Sequence, residues 1–306
     1  AQHATVADYH TSGAWVAVAI AGVASRMMGL SETQTAHAMG IAEYHGPRSQ
    51  MMRCIDHPTM LKDASGWGAM CGVSAARMAK AGFTGAPALT LQTEHYKDLG
   101  KNWLVTQQYF KPYPVCRWAQ APIAAVLDLK VQHNIQSKDI SGVHITSFHE
   151  AVRLGQKIVT NTEEAQYSTS FPCAVALVHG DVSPEHIADN ALKHPEIQRL
   201  SSVLTMDEDE KANAVFPESR LARADITLKN GQILASTWFE PKWDPSAPPT
   251  HEELTKKFYD YAKPVLGISR TKAIYEAVLE LDSGDTHNLF NLLYPSIETG
   301  HIDVFS

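Results

Sequence analysis

Three short stretches carry the residues that can do chemistry. In "DHPTMLKDASGWG", Lys62 stands three residues ahead of Ser65, where a small-residue helix is expected to begin. The first N–H groups of a helix have no internal partner and favour an anion, so a lysine at that mouth suits a carboxylate. The same positive setting is expected to lower the lysine pKa and help it exchange protons near neutral pH. The plainer reading is a solvated lysine paired with Asp56 or Asp63. In "ADYHTSGAW", His10 precedes another helix, with Thr11 and Ser12 as candidate caps. An imidazole there can act as general base or donate to a carboxylate, or simply bond the backbone. In "FKPYPVCRW", Lys111 precedes a rigid Pro-x-Pro turn at an expected domain boundary, and clefts between domains are frequent ligand sites. The alternative there is an exposed hinge lysine. Arg48 and Arg117 either clamp a carboxylate through two parallel bonds or serve structural ion pairs. Cys116 has no evident cationic partner in the sequence and reads as a small buried hydrophobe rather than a nucleophile.

Composition narrows the ligand. With 306 residues, 44% of them hydrophobic, the chain can bury a sizeable core, and the length suggests about two domains. A net charge of -7 without a long Lys/Arg run argues against nucleic acid or a membrane surface as partner and points to a small molecule. Four cysteines, Cys54, Cys71, Cys116 and Cys173, are too few and too irregular for a disulfide framework or a Cys-x-x-Cys metal site, so a reducing, cytoplasmic setting is expected. No phosphate loop, dinucleotide fingerprint or nucleophile elbow occurs, and no cofactor is expected. His45 and His57 come without a carboxylate cluster, so no metal is expected either. The apolar run Ala14–Val23 is too short to span a bilayer. It reads as a buried helix met in mid-fold, with a preceding segment missing.

The elements that must position these residues follow from periodicity. Apolar spacing of three and four predicts helices over about 12–28, 32–43 and 65–81, the second with Ser31 as N-cap. Alanine and glycine on several faces suit close packing inside a bundle. Beyond Trp103 the texture changes. Two prolines precede a helix, "SGVHITSFHEAV" reads as a strand, and "FPCAVALVHGDVSPEHIADNAL" as an apolar helix, a turn and a second helix from near Ser183. "RADITLKNGQILASTWF" alternates around Asn230–Gly231, a pair suited to a type I′ hairpin turn. "DPSAPPT" reads as a linker before two further helices. The expected fold is mainly α: an all-helical domain, 1–106 and 247–306, interrupted by a smaller α+β lid domain, 107–246.

Taken together, the segments resemble the MmgE/PrpD family, which includes 2-methylcitrate dehydratases, cis-aconitate decarboxylases and an iminodisuccinate epimerase. "YHTSGAWVAVAIAGVASRMMGLS" is similar to the family's histidine and small-residue helix, and "LKDASGWGAMCGVSAARMAKAGFTG" to its lysine, Gly/Ala helix and Gly-Phe-Thr-Gly exit. "FKPYPVCRWAQAPIAAV" resembles its Lys-x-x-Pro-x-Cys/His turn, and "EEAQYSTSFPCAVALVHGDVS" its Ser-x-x-Tyr/Phe segment. The resemblance implies catalytic roles for His10, Lys62 and Lys111. It implies substrate contacts by Arg48, Ser65, Cys116, Arg117, Gln120, Ser168 and Phe171, with Ser65, Gln120 and Phe171 departing from residue types the family often carries there. It also implies an upstream Asp/His-rich segment that nothing here matches. The expectation is therefore a chain lacking the N-terminal part, with a second chain as one source of the missing segment.

The implied chemistry makes or quenches a carbanion beside a carboxylate, without a cofactor and usually in a homodimer. An α-hydrogen next to a carboxylate is barely acidic, so the site must gather positive charge where enediolate character develops. The expected activity is that of a lyase or isomerase on a small di- or tricarboxylate. The alternative is a carboxylate-binding or dimerising subunit of the same fold that does not turn it over.

Overall fold

A computed structural model describes residues 10–92, 96–155, 158–284 and 286–294. The chain divides into two compact units, Ala1–Pro241 and Lys242–Ser306.

The first unit opens with α1 (Gly13–Met27), α2 (Glu32–His45), a short α3 (Met52–Asp56) and α4 (Ser65–Lys80). Ser31 sets the start of α2 through a capping box: its hydroxyl accepts the Gln34 N–H while the Gln34 side chain accepts the Ser31 N–H. α1, α2 and α4 share a core that is almost entirely alanine, including Ala17, Ala21, Ala38, Ala42, Ala75 and Ala76. Glycine is required where the backbones nearly touch. A Cβ on Gly72 would lie 2.5 Å from the Ala17 carbonyl oxygen and 2.8 Å from the Ala21 nitrogen, and one on Gly68 2.5 Å from the Gly13 carbonyl oxygen. The small-residue composition of these helices is thus a packing requirement.

The rest of the first unit runs α5 (Gln120–Gln132), β1 (Ile140–Ser147), α6 (His149–Arg153), α7 (Thr162–Gln166), α8 (Ser170–His179), α9 (Pro195–Ser202), β2 (Leu204–Glu208), α10 (Glu210–Val215), β3 (Ala222–Leu228) and β4 (Ile233–Ala235). The strands form one sheet in the order β2-β1-β3-β4. β1 and β2 are parallel, with Val143 opposite Leu204, and the other pairs are antiparallel, with Ile145 opposite Ala224 and Ile226 opposite Leu234. Here the core is built of large side chains: Ile123, Leu129, Ile140, Ile145, Phe171 and Leu177 are among those buried together.

Three local expectations change. "SGVHITSFHEAV" is a strand only to Ser147; Phe148 turns into an aromatic cluster, and Asn213 Oδ1 accepts the His149 N–H at 2.7 Å, which starts α6. No α-helix begins near Ser183. A single 3-10 turn, Pro184–Ile187, ends where Ala188 becomes extended and Asp189 accepts the Thr162 N–H at 2.7 Å; helix resumes at Pro195. The hairpin turn is not type I′, because Gly231 has positive φ and Asn230 does not. The Gly231 N–H closes on the Leu228 carbonyl at 2.9 Å and the Leu228 N–H on Gln232 at 2.8 Å. That is a type I turn followed by a left-handed glycine, the three-residue hairpin with a bulge.

A third cluster joins the helical beginning of this unit to the sheet region. Met52 and Ile55 of α3 pack with Trp118, Phe148, Ala151 and Leu154. Phe148 and Phe216 stack at 4.5 Å, with the Trp118 ring edge-on 5.9 Å from Phe148.

The second unit holds α11 (His251–Leu266), α12 (Ile268–Leu279) and α13 (His287–Leu293). Thr250 and Glu253 form a capping box at α11, and Gly267, at φ 74°, reverses the chain into α12. The chain is mainly α with a small four-stranded sheet. No described helix is long and apolar enough to cross a membrane.

Candidate functional site

Lys62 lies in the loop between α3 and α4. The helix begins at Ser65, as the spacing predicts, but its N-cap is Ala64 in the left-handed region at φ 57°, with no side-chain cap. The start of α4 therefore carries no side-chain acceptor, unlike that of α2. Exposed Ser65 is its first residue.

Neither flanking acid is occupied with Lys62. Asp56 receives the Arg153 guanidinium, with Nε to Oδ1 at 3.2 Å. Asp63 is turned to α1: its carboxylate accepts the Ser12 N–H at 2.9 Å and the Ser12 hydroxyl, and its backbone oxygen accepts the Gly13 N–H at 3.1 Å. Asp63, rather than Thr11 or Ser12, thus closes the N-terminus of α1. The Lys62 side chain is largely exposed, yet its ammonium lies 4.7 Å from the centre of the Tyr167 ring. Partial burial lowers the Lys62 pKa, with Glu163 and Cys54 opposing.

Around this contact the loop residues and the sheet region meet. Tyr167 and Cys54 pack against the same cluster, and burial, followed by the fields of Cys54, Cys116 and Asp63, holds the phenol well above its usual range. Burial also raises the Cys54 thiol, and it pushes Cys116 up to about 11 against backbone donors and the charge of Lys111. Both thiols are protonated at neutral pH and cannot act as nucleophiles without activation. Tyr167, absent from the sequence expectation, meets Lys62 with its ring and packs on the same cluster as Cys116, on whose thiol the charge of Lys111 acts. A cleft of about 330 Å³ is lined by Thr11, Gln50, Arg53, His57 and Lys62 among others.

His10 stands on the other side of a short backbone bridge. His10 pairs with Gln50, the Thr11 N–H donates to Ser49 at 2.9 Å, and His10 Nδ1 lies 3.2 Å from the Arg48 carbonyl oxygen. Residues 10 and 11 then point to opposite sides, as in any extended pair. Thr11 lines the Lys62 cleft, while His10 and Arg48 line a second of about 350 Å³ with Trp15, Thr90 and Tyr96. His10 and Lys62 thus occupy neighbouring clefts.

The remaining expected residues lie elsewhere. Arg117 is buried, with its guanidinium 3.5 Å from the Tyr109 ring centre; burial pulls its pKa down to about 10, Tyr109 opposing and Arg220 adding to the fall. Gln120 is buried and spends its amide on the Pro-x-Pro turn, accepting from the Tyr113 N–H at 3.1 Å and donating to the carbonyls of Tyr113, Val115 and Cys116. Ser168 Oγ accepts the Phe171 N–H at 3.2 Å at the start of α8, and Phe171 is a core side chain. Gln120 and Ser168 shape backbone, and nothing in their bonding directs them to a ligand. The reading of residue types missed Tyr167, Cys54, His57 and Arg53. His57 was in view five residues before Lys62, and Tyr167 immediately before Ser168; only the folding of the two segments together singles them out. Among the described residues, no three His, Cys, Asp or Glu side chains are grouped to hold a metal ion.

Residues 113–283 match the family model of the MmgE/PrpD C-terminal domain, and residues 1–102 that of the MmgE/PrpD N-terminal domain. The second match assigns residues 1–102 to the N-terminal domain, and the expectation of a missing N-terminal part is not borne out by it. The chain is 26% identical over 246 residues to the 2-methylcitrate dehydratase, mitochondrial, of Yarrowia lipolytica, covering 72% of this chain and 47% of that protein. It is 27% identical over 221 residues to the probable 2-methylcitrate dehydratase of Saccharomyces cerevisiae, covering 63% of this chain and 42% of the relative. It thus spans about half the length of the curated relatives it matches. With both domain models matched in order along one chain, the protein belongs to the MmgE/PrpD family.

Proposed function

We propose that this chain handles a small di- or tricarboxylate by proton transfer next to a carboxylate, in a lyase reaction of the 2-methylcitrate dehydratase type. The observation that carries the reading is Lys62. It lies three residues ahead of a helix start without a side-chain cap and lines a cleft, with both flanking acids engaged elsewhere. Lys62 and the first N–H groups of α4 receive one carboxylate, and Lys111, beside Cys116, supplies charge toward a second. In a dehydration, a base takes the proton from the carbon next to the carboxylate, the electron pair forms the double bond, and the β-hydroxyl leaves as water after taking a proton. The cations stabilise the enediolate-like charge that forms between these events. His57 lines the Lys62 cleft and His10 its neighbour, so these imidazoles are the proton carriers of the proposal. The helical domain closed by an α+β lid, a homodimeric state and a cytoplasmic setting belong to the same proposal; the Yarrowia relative is named as mitochondrial.

The test is deuterium uptake from heavy water into a panel of di- and tricarboxylates that includes 2-methylcitrate, followed by proton NMR. Exchange at the carbon beside a carboxylate is expected. Saturable binding with no exchange for any member would instead establish the second reading, a binding subunit without turnover.

A further inference from the structure

Tyr167 ties together the two walls that meet at Lys62. Its N–H closes the end of α7 on the carbonyls of Glu163 and Glu164, at 3.3 and 3.2 Å. One residue earlier, the Gln166 carbonyl accepts the Cys116 N–H at 2.8 Å, fastening the segment to the Pro-x-Pro turn. The ring packs, with Cys54, against the cluster of Met52, Ile55, Trp118 and Phe148, and the Cys54 thiol donates to the Met51 carbonyl at 3.0 Å. With its backbone held and its ring packed, the side chain has little freedom to turn, and its face meets the Lys62 ammonium at 4.7 Å. A lysine has four rotatable bonds, so an unheld ammonium samples many positions. An aromatic face within about 6 Å attracts a cation through its quadrupole and still leaves the other side of the ammonium open to a ligand.

We propose that Tyr167 is a positioning residue for Lys62: its ring face holds the ammonium at the cleft wall, so that a carboxylate meets a charge already in place. This rests on the reading of Lys62 as the carboxylate-handling residue. The ring face supplies the hold, and the packing of the ring against the cluster of Met52, Ile55, Trp118 and Phe148 aims it.

The test labels lysines of the whole protein by reductive 13C-methylation, assigns Lys62 with Lys62→Arg, and follows its methyl resonance through a pH titration with and without 2-methylcitrate. Tyr167→Phe keeps the ring and is expected to keep the ring-current shift that a methyl group over an aromatic face shows. Tyr167→Leu removes the ring face, so the methyl resonance moves to the position of an ordinary lysine, and binding of 2-methylcitrate weakens by about tenfold. Pentafluorophenylalanine at 167 reverses the charge of the ring face at nearly constant size; it is expected to expel the ammonium and lose the shift as leucine does, and it covers the case in which Tyr167→Leu does not fold. A native resonance without a ring-current shift, or a shift retained over the fluorinated ring, overturns the proposal. A native Lys62 resonance that ignores 2-methylcitrate sinks the carboxylate reading instead, while the shifts still decide whether the ring holds the lysine.

Discussion

The helical beginning of the first unit and its sheet region are built on opposite packing principles. α1, α2 and α4 touch backbone to backbone through alanine and glycine, whereas the sheet and its helices interlock large aliphatic side chains. Small-residue contacts bury little area each, but they leave no slack: a single added carbon meets main-chain atoms that cannot rotate away. A side-chain core buries more and relaxes around a lost group. The lysine lies just ahead of α4, on the first kind of packing, and the tyrosine packs on the cluster of Met52, Ile55, Trp118 and Phe148 that joins the two regions. The close-packed helices hold α4, and the joining cluster carries the ring that meets Lys62.

Mutations that break the difference should rank accordingly. Gly72→Leu drives a side chain into the Ala17 carbonyl and Ala21 nitrogen, and a loss above about 3 kcal/mol, or failure to fold, is expected in denaturant unfolding. Ile145→Ala leaves a cavity in the sheet core and should cost about 3 kcal/mol with the fold retained. Ser31→Ala removes half of the α2 capping box and should lose about 1 kcal/mol. The smallest effect is expected at the far end of α8, where the rings of His179 and His186 stack at 4.2 Å and His194 lies edge-on at 5.7 Å. Burial first, and then His186 and His194, lower the His179 pKa, against Glu185. In the window just below the ordinary value of 6.5, the unfolded chain binds more protons than the folded one. Stability therefore rises with pH across that window and is lost on acidification. Melting temperature against pH should show this slope, and His179→Gln should flatten it.

How much of this was legible in the sequence divides along the same line. The starts of α2 and α4 were, because Ser31 is a local cap and the three- and four-residue spacing over residues 65–81 is helical. The Asn230–Gly231 hairpin was found but its turn misread, since whether Asn230 adopts positive φ depends on strand register, which the dipeptide does not carry. Lys62 was legible as a helix-mouth cation. That Asp63 would serve α1 rather than Lys62 was not, because the competing donor, Ser12, lies 51 positions away. Tyr167 was hidden for the same reason: its meaning comes from Cys54 and Lys62, which only the packing of α3 against the sheet region brings to it.

The central claim is that Lys62 receives a carboxylate in its cleft, and calorimetric titration of 2-methylcitrate into the native protein and Lys62→Met tests it most directly. The account predicts saturable binding to the native protein and a loss of at least about tenfold in affinity for the variant at unchanged melting temperature, the scale of one charge-assisted contact. Equal affinity in the two proteins would contradict it.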